Sequence, residues 1–247
     1  MVRQGSSEGV PWSGPTADPW VGSRRVVPVR PHLRRWLASS TDGLPVLEVG
    51  PGLRPTASVG TSYFVDRSPH ALRQLAARGG RVAEADEGLH FPDAFFGAVV
   101  AFEVLEHVDE DEDLIGEISR VLGPGGLLML SVPIRPSLWT TLDDACGHVR
   151  RYEPDELFAK LRAAGLEPGG YAWTAAGPAA LERIRARLLL ADRGLSTTLV
   201  QHLVFPILSA YQRAFGRVHW DPPDVPVPAR AEHLTLWARS TGDRATG

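Results

Sequence analysis

Two glycines and a carboxylate stand together early in the chain, in a pattern suited to holding a small ligand. Residues 46–52 read VLEVGPG, so Glu48 lies just before a turn that contains Gly50 and Gly52. Glycine has no Cβ, and a ligand can therefore approach the backbone of such a turn closely. A carboxylate at the floor of the same turn attracts positive charge. The pattern predicts a site for a cationic small molecule and suits a pyrophosphate less well.

Two more acidic positions end the next two apolar segments. Asp66 ends the first, and Asp86 ends the second with Glu87 beside it. Because an ionised carboxylate accepts hydrogen bonds, Asp66 is suited to both hydroxyls of a ribose and Asp86 to the amino group of an adenine. A dinucleotide is disfavoured, since its G-x-G-x-x-G fingerprint needs a third glycine where this chain has Pro55.

The hydrophobic pattern predicts a scaffold that brings these positions together. Short apolar segments alternate with amphipathic stretches, which indicates an α/β fold with a mostly parallel seven-stranded sheet and helices on both faces. The strands are predicted at 46–50, 62–66, 81–85, 97–103, 126–132, 169–174 and 231–240. In an open sheet of this kind, ligands bind beyond the carboxyl ends of the strands, where the strand order reverses. The acidic positions all lie at such ends.

The chain divides into an arm and one domain. Residues 1–27 are rich in turn-forming residues and lack periodicity, which predicts a flexible N-terminal arm. Residues 28–247 are predicted to form the domain, with a helical insertion at 178–225 before the last strand. The apolar faces of that insertion could cover the sheet, pair two subunits as a homodimer, or roof a bulky ligand together with Trp139, Trp173 and Trp220.

Three motifs follow one another in order: LEVGPG at 47–52, VLEHV at 104–108 and RVLGPGG at 120–126. This succession resembles the class I S-adenosylmethionine-dependent methyltransferases, in particular their small-molecule group, and the resemblance runs from residue 46 to residue 165. It implies a Rossmann-like methyltransferase fold, with S-adenosylmethionine as cofactor and S-adenosylhomocysteine as product.

The resemblance also implies a role for each cofactor-facing residue. The glycine turn would pack against the methionine part of the cofactor, with Glu48 oriented toward its ammonium group. Asp66 would bind the ribose hydroxyls and Asp86 the adenine amino group. Phe102 and Glu103 would line the pocket beside the sulfonium.

The sequence departs from the family pattern at two places. Arg54 stands where the glycine loop usually has another small residue, and Pro55 follows it, so the first helix is expected to be shortened or displaced. Gly97 stands near the start of the fourth strand, where the family usually has an aspartate.

Two histidines are candidates for catalysis. His107, in VLEHV, and His148, in DDACGHVRRY, both follow strands whose carboxyl ends face the predicted pocket. Imidazole is suited to act as a base near neutral pH. The alternative is structural: His107 would brace its loop, and His148 would pair with Asp143 or Asp144. Those two aspartates with His148 match no standard metal-ligand spacing, so we expect no bound metal.

The neighbouring basic and aromatic residues have the same two interpretations. Arg150 and Arg151 could hold an acidic group, but a salt-bridged loop face is favoured, and Tyr152 is expected to pack.

The composition excludes several partners. The formal net charge is −3, which gives no general attraction to nucleic acid or to an anionic membrane. The apolar segment near the C-terminus is too short and too polar to cross a bilayer. One cysteine, Cys146, cannot form an internal disulfide framework and fits a reducing cytoplasm.

We therefore expect a soluble cytoplasmic enzyme that methylates a small organic acceptor, with an oxygen of a secondary metabolite in natural product biosynthesis as the expected target. The alternative is an enzyme of the same fold that binds S-adenosylmethionine but catalyses cyclisation, decarboxylation or rearrangement, because a fold does not fix a chemistry.

Overall fold

The computed structural model describes residue 37 and residues 43–84, 88–174 and 220–242. The predicted arm at 1–27 and residues 178–219 of the predicted helical insertion lie outside these residues. The arm, the insertion and a homodimer formed through it therefore stay predictions.

Seven strands form one mixed sheet in the described part of the chain. The strands are β1 (Val46–Val49), β2 (Tyr63–Asp66), β3 (Arg81–Glu84), β4 (Phe96–Phe102), β5 (Leu122–Pro133), β6 (Leu166–Thr174) and β7 (His233–Ser240). They lie in the order β3-β2-β1-β4-β5-β7-β6. β7 is antiparallel to both of its neighbours, and the other pairs are parallel. The predicted mostly parallel, seven-stranded sheet is confirmed.

Helices cover the sheet because its central strands are apolar on both sides. Every residue of β4 is buried, as the continuous sequence FGAVVAF requires of a central strand. The helices are α1 (Pro69–Ala77), α2 (Asp111–Val121), α3 (Thr141–Cys146) and α4 (Pro154–Ala163). One face of α2 buries Ile115, Ile118 and Val121 in the core.

The strand order reverses beside β1, and this places the candidate site. β1 pairs with β2 on one side and with β4 on the other, all three parallel. Their carboxyl ends therefore meet at one edge of the sheet, where the glycine turn follows β1 and Asp66 ends β2. This reversal is the position at which open α/β sheets bind ligands.

The structure differs from the predicted elements at three places. We expected a shortened or displaced first helix, and the structure goes further: no helix forms between β1 and β2, where residues 51–62 make turns. β5 begins at Leu122 and not at residue 126, because Leu122 already pairs with Phe96 and a register shift accommodates the glycines that follow. β6 begins at Leu166, earlier than predicted, through pairing with Ser240.

Among the residues that the structure describes, we find no helix with the length and apolar character needed to cross a membrane. Cytoplasmic location stays a prediction.

Candidate cofactor site and histidine cluster

The two glycines of the turn after β1 have different structural roles. Both have positive φ, +62° at Gly50 and +55° at Gly52, a region that favours glycine. A Cβ on Gly50 would lie 2.7 Å from Cγ2 of Val104, so this position requires glycine for packing as well. A Cβ on Gly52 would meet no heavy atom within 4 Å. The turn thus packs tightly against the protein at Gly50 and leaves open space at Gly52.

Asp66 connects the end of β2 to this turn. Its Oδ2 accepts a hydrogen bond from the Gly52 amide at 2.8 Å, and its Oδ1 accepts one from the Ser68 amide at the same distance. Each carboxylate oxygen has two acceptor sites, so these contacts are compatible with further donors. The structure places Asp66 beside the open face of Gly52, and its binding to a ribose stays a prediction.

Glu48 lies beneath the same turn and is buried. Its Oε1 and Oε2 accept hydrogen bonds from the Thr56 amide, and Oε2 also accepts from the Ala57 amide, all at 2.8 Å. The carboxylate therefore organises the loop that replaces the first helix, a role that the sequence analysis did not assign. Its orientation toward a cofactor ammonium stays a prediction.

Phe102 and Glu103 lie at the carboxyl end of β4, the strand that pairs with β1. Phe102 is buried in an apolar cluster with Met129 and Leu37. Glu103 has φ of +57°, which is uncommon for a residue other than glycine and marks a constrained site. Its Oε1 accepts a hydrogen bond from Ser131 Oγ at 2.9 Å, and its Oε2 lies 3.5 Å from His233 Nδ1. Their positions beside a sulfonium stay predictions.

Asp86 and Glu87 lie outside the described residues. Their predicted contact with adenine therefore stays a prediction.

His107 and His148 meet beyond the carboxyl ends of β4 and β5. Their rings form an edge-to-face pair with centroids 4.8 Å apart. The Val149 amide donates to the Glu106 carbonyl at 2.8 Å, and His107 Nδ1 lies 3.0 Å from the Gly147 carbonyl oxygen. These two bonds hold the segment after α3 against the short turn at Leu105–His107.

Glu106 completes this histidine cluster, which we define as Glu106, His107 and His148. The Glu106 side chain is fully buried, and its Oε1 lies 3.9 Å from His148 Nε2. Sequence reasoning missed Glu106, although its position next to His107 in VLEHV was a signal. The nitrogen and oxygen donors of the three residues all lie within 4.8 Å of one another.

Asp143 orients His148, so the predicted pairing of these residues is confirmed. Asp143 Oδ1 lies 2.8 Å from His148 Nδ1. Arg151 donates from Nε to Oδ1 at 2.9 Å and from Nη2 to Oδ2 at 2.8 Å, while Thr140 donates to Oδ2 through its amide and its hydroxyl. Burial alone raises the Asp143 pKa, but the hydrogen bonds from Arg151 and Thr140 outweigh it and hold that pKa well below its usual value. Asp143 is therefore an ionised acceptor.

The other residues of this segment have structural contacts. Asp144 accepts from Trp139 Nε1 at 2.9 Å, so the two adjacent aspartates turn toward different partners. Arg150 pairs with Asp111 at 2.7 Å, and with the Arg151–Asp143 pair this confirms the salt-bridged interpretation of both arginines.

Tyr152 is buried, as expected for a packing residue. Its hydroxyl lies 2.9 Å from Asp111 Oδ2 and 3.1 Å from the Leu105 carbonyl oxygen. Lys160 Nζ donates to both oxygens of Asp111, at 3.0 and 2.9 Å. This network ties α4 and the segment after α3 to the turn that carries His107.

A comparison with known families decides the identity of this scaffold. Residues 47–130, which contain the glycine turn, Asp66 and His107, match the family model described as a methyltransferase domain. The family model and the fold both indicate a class I S-adenosylmethionine-dependent methyltransferase. The cofactor of this family is S-adenosylmethionine, which leaves as S-adenosylhomocysteine.

Curated proteins that resemble part of this chain have names that agree with the family model. A probable S-adenosylmethionine-dependent methyltransferase of Mycolicibacterium smegmatis is 36% identical over 92 residues, which are 36% of this chain and 34% of the relative. One from Mycobacterium tuberculosis is 34% identical over 107 residues, which are 41% of this chain and 39% of the relative. The chain thus spans little more than a third of the length of these relatives. Both relatives are named as probable methyltransferases. Their names do not favour the alternative of cyclisation, decarboxylation or rearrangement.

Solved structures share the fold at low sequence identity. An S-adenosylmethionine-dependent methyltransferase from Mesorhizobium loti has a TM-score of 0.54 at 17% identity, over 87% of this chain and 98% of the other. The cyclase SpnF has a TM-score of 0.53 at 20% identity, over 85% of this chain and 80% of the other. At these identities the similarity shows the methyltransferase fold alone.

Proposed function

We propose that the protein transfers a methyl group from S-adenosylmethionine to an oxygen of a small organic acceptor. The observation that carries the proposal is the hydrogen bond between Asp66 and the Gly52 amide beside the open face of the glycine turn. It places a buried carboxylate and an approachable backbone together at the point where the strand order reverses.

The described residues at this edge fit the family's cofactor. The space beside Gly52 would take the methionine part, and Asp66 would accept from the ribose hydroxyls. Glu48 and Glu103 add negative charge at the carboxyl ends of β1 and β4, which suits a ligand that carries a sulfonium and an ammonium group. When bound, the cofactor supplies an activated methyl group. The protein then contributes position and exclusion of water.

The position of the histidine cluster supports a role in activating the acceptor. His107 and His148 lie beyond β4 and β5, next to the strand end that carries Phe102. An acceptor hydroxyl is a weak nucleophile until its proton is removed or its pKa is lowered. Two imidazoles at this edge support an oxygen target, because an amine or a thiolate acceptor needs such help less.

Aromatic residues near the same edge support a flat or lipophilic acceptor, such as a secondary metabolite. Trp220 packs against the apolar cluster that contains Phe102. Trp139 is partly exposed in the segment between β5 and α3, where its ring is available for contact. Trp173 packs on the core with Arg230 over its ring at 4.8 Å, and so it contributes less to this surface.

Calorimetric titration of the full chain with S-adenosylhomocysteine, with NADH titrated in parallel, tests the first half of this proposal. We expect micromolar binding of S-adenosylhomocysteine and none of NADH. Folded protein that binds neither ligand, or NADH alone, would overturn the cofactor assignment.

A screen of phenols, alcohols, amines and thiols with S-adenosylmethionine tests the second half, with the acceptor's mass as readout. We expect a gain of one methyl group on oxygen acceptors. Turnover of amines or thiols alone contradicts the oxygen target, and product formed without a mass gain contradicts methyl transfer.

A further inference from the structure

The histidine cluster brings three metal-ligating groups to one point. Glu106 is fully buried, His148 nearly so, and His107 half-buried. Their donor atoms come from two segments that are distant in sequence, and all lie within 4.8 Å of one another. From the sequence we considered only Asp143, Asp144 and His148 as ligands and expected no metal. The tertiary structure instead brings Glu106, His107 and His148 together, and Asp143 contacts the other ring nitrogen of His148.

The hydrogen bonds of both histidines fix the tautomer that a metal requires. The Gly147 carbonyl only accepts, so His107 Nδ1 must be its donor. Both Asp143 oxygens accept hydrogen bonds from Arg151, and a carboxylate paired in this way accepts, so His148 Nδ1 is the donor to it. In each neutral imidazole the lone pair then lies on Nε2. Metal-binding histidines are held in this way, with one ring nitrogen donating to a carbonyl or a carboxylate and the other facing the ion.

We propose that Glu106, His107 and His148 bind a divalent first-row transition-metal ion, with Zn²⁺ as the representative ion. His148 Nε2 and Glu106 Oε1 are 3.9 Å apart, too far for a hydrogen bond but close to the separation of two ligands of one ion. Two ligand bonds of about 2.0–2.2 Å that meet at a tetrahedral angle place the ligand atoms roughly 3.4 Å apart. The cluster must therefore contract on metal binding, by about 0.5 Å between His148 and Glu106 and by at most about 1.4 Å at its widest separation.

The ligand chemistry favours transition metals over Mg²⁺ and Ca²⁺. Two imidazoles with one carboxylate are a ligand set of catalytic zinc sites and of iron sites with open positions. Mg²⁺ and Ca²⁺ prefer oxygen ligands throughout. Three protein ligands leave at least one coordination position for water or for an oxygen of another molecule.

The consequence for methyl transfer rests on the proposed function. An acceptor hydroxyl bound at the open position would have a lowered pKa and would release its proton to water. The oxygen would keep the electron pair that forms the bond to the methyl carbon, while the pair of the broken carbon–sulfur bond stays on sulfur. His107 and His148 would then act as ligands and not as bases.

Metal binding can be measured without cofactor or acceptor, so its outcome is independent of the proposed function. The full chain is stripped with a chelator, dialysed, and titrated with Zn²⁺ by calorimetry, and the metal content is counted after gel filtration. We expect one equivalent per chain with a dissociation constant at or below the micromolar range. Glu106→Gln, His107→Ala and His148→Ala should each weaken binding at least ten-fold, whereas His90→Ala, which removes an exposed imidazole elsewhere, should leave it unchanged.

Less than one equivalent bound by the folded chain would overturn the proposal, and so would a His107→Ala variant that binds as tightly as the unchanged chain. His107 is the least buried ligand, so this variant keeps the test decisive where the other two fail to fold. A second measurement uses Co²⁺ on the unchanged chain, for which we expect visible absorption that Zn²⁺ abolishes. A Co²⁺ spectrum identical to that of the ion in buffer also counts against the site.

Discussion

The Asp66 carboxylate accepts a hydrogen bond from the Gly52 amide at 2.8 Å and thereby fixes the glycine turn against the end of β2. This contact joins the two positions that the family pattern assigns to the ribose and to the methionine part of the cofactor. One carboxylate therefore shapes the turn, and if it also binds the cofactor as we propose, changes to it should be visible in ligand affinity.

We expect Asp66→Ala to weaken S-adenosylhomocysteine binding by about 1–3 kcal/mol, because a buried ribose would lose a charged acceptor and the turn would lose its anchor. Calorimetric titration measures the change. Asp113→Asn, which removes an exposed charge on α2, is the matched control and should bind like the unchanged protein. An equal dissociation constant for Asp66→Ala would remove Asp66 from the site.

Gly50 should not tolerate a side chain. We expect Gly50→Ala to lower the free energy of unfolding by about 2–4 kcal/mol, because φ is +62° and the new Cβ would lie 2.7 Å from Val104 Cγ2. Urea unfolding gives the value. Adding Val104→Ala should recover part of the loss by removing the clashing atom, so strictly additive effects would contradict the packing argument. Gly60→Ala, which meets no atom within 4 Å, is the control and should change stability little.

The buried pair of Arg151 and Asp143 should be much more important for stability than an exposed pair. Both side chains are almost fully buried, so Arg151→Met would leave an uncompensated buried carboxylate at a cost of about 3–5 kcal/mol. Arg162→Met breaks an exposed pair with Glu167 and should cost about 0–1 kcal/mol. Thermal and urea unfolding of the two variants tests this difference. Similar losses would show that burial of the first pair has little energetic effect.

Stability should fall in acid through Asp111. Burial alone raises the Asp111 pKa. Hydrogen bonds from Lys160 and Tyr152, together with the charges of Lys160 and Arg150, outweigh this effect, so the pKa lies below its ordinary value of 3.8. The unfolded chain therefore binds this proton at higher pH than the folded chain does. The resulting stabilisation is present above about pH 4 and is lost as pH falls through the folded pKa.

Melting temperatures between pH 3 and pH 7 measure this loss, and Lys160→Met should make the acid-side fall shallower, because the Asp111 pKa would move back toward its ordinary value. Tyr152 stays a neutral donor over this range, since burial first and its hydrogen bond to Asp111 second raise its pKa. A Lys160→Met profile with an unchanged acid-side slope would exclude this carboxylate as a source of the acid dependence.

The sequence by itself determined where the strands lie along the chain and which residues form the glycine turn and the carboxylate beside it. Short apolar segments such as FGAVVAF favour central strands, and a glycine turn after such a strand with a carboxylate at the end of the next predicts a ligand site from local pattern alone. A change in the first helix was likewise predicted from Arg54 and Pro55, because proline restricts the residue before it and removes a backbone donor.

Only the tertiary structure decided what the buried polar residues contact. Nothing in the sequence indicates that Glu48 holds its own loop, yet in the structure its oxygens accept hydrogen bonds from the amides of Thr56 and Ala57. Glu106 stands next to His107 in VLEHV, but nothing in the sequence indicates that it is a fully buried neighbour of His148, forty-two positions further along the chain. Such pairings follow from the packing of distant segments and from the need to satisfy buried charge. Neither is encoded in the spacing of residues along the chain.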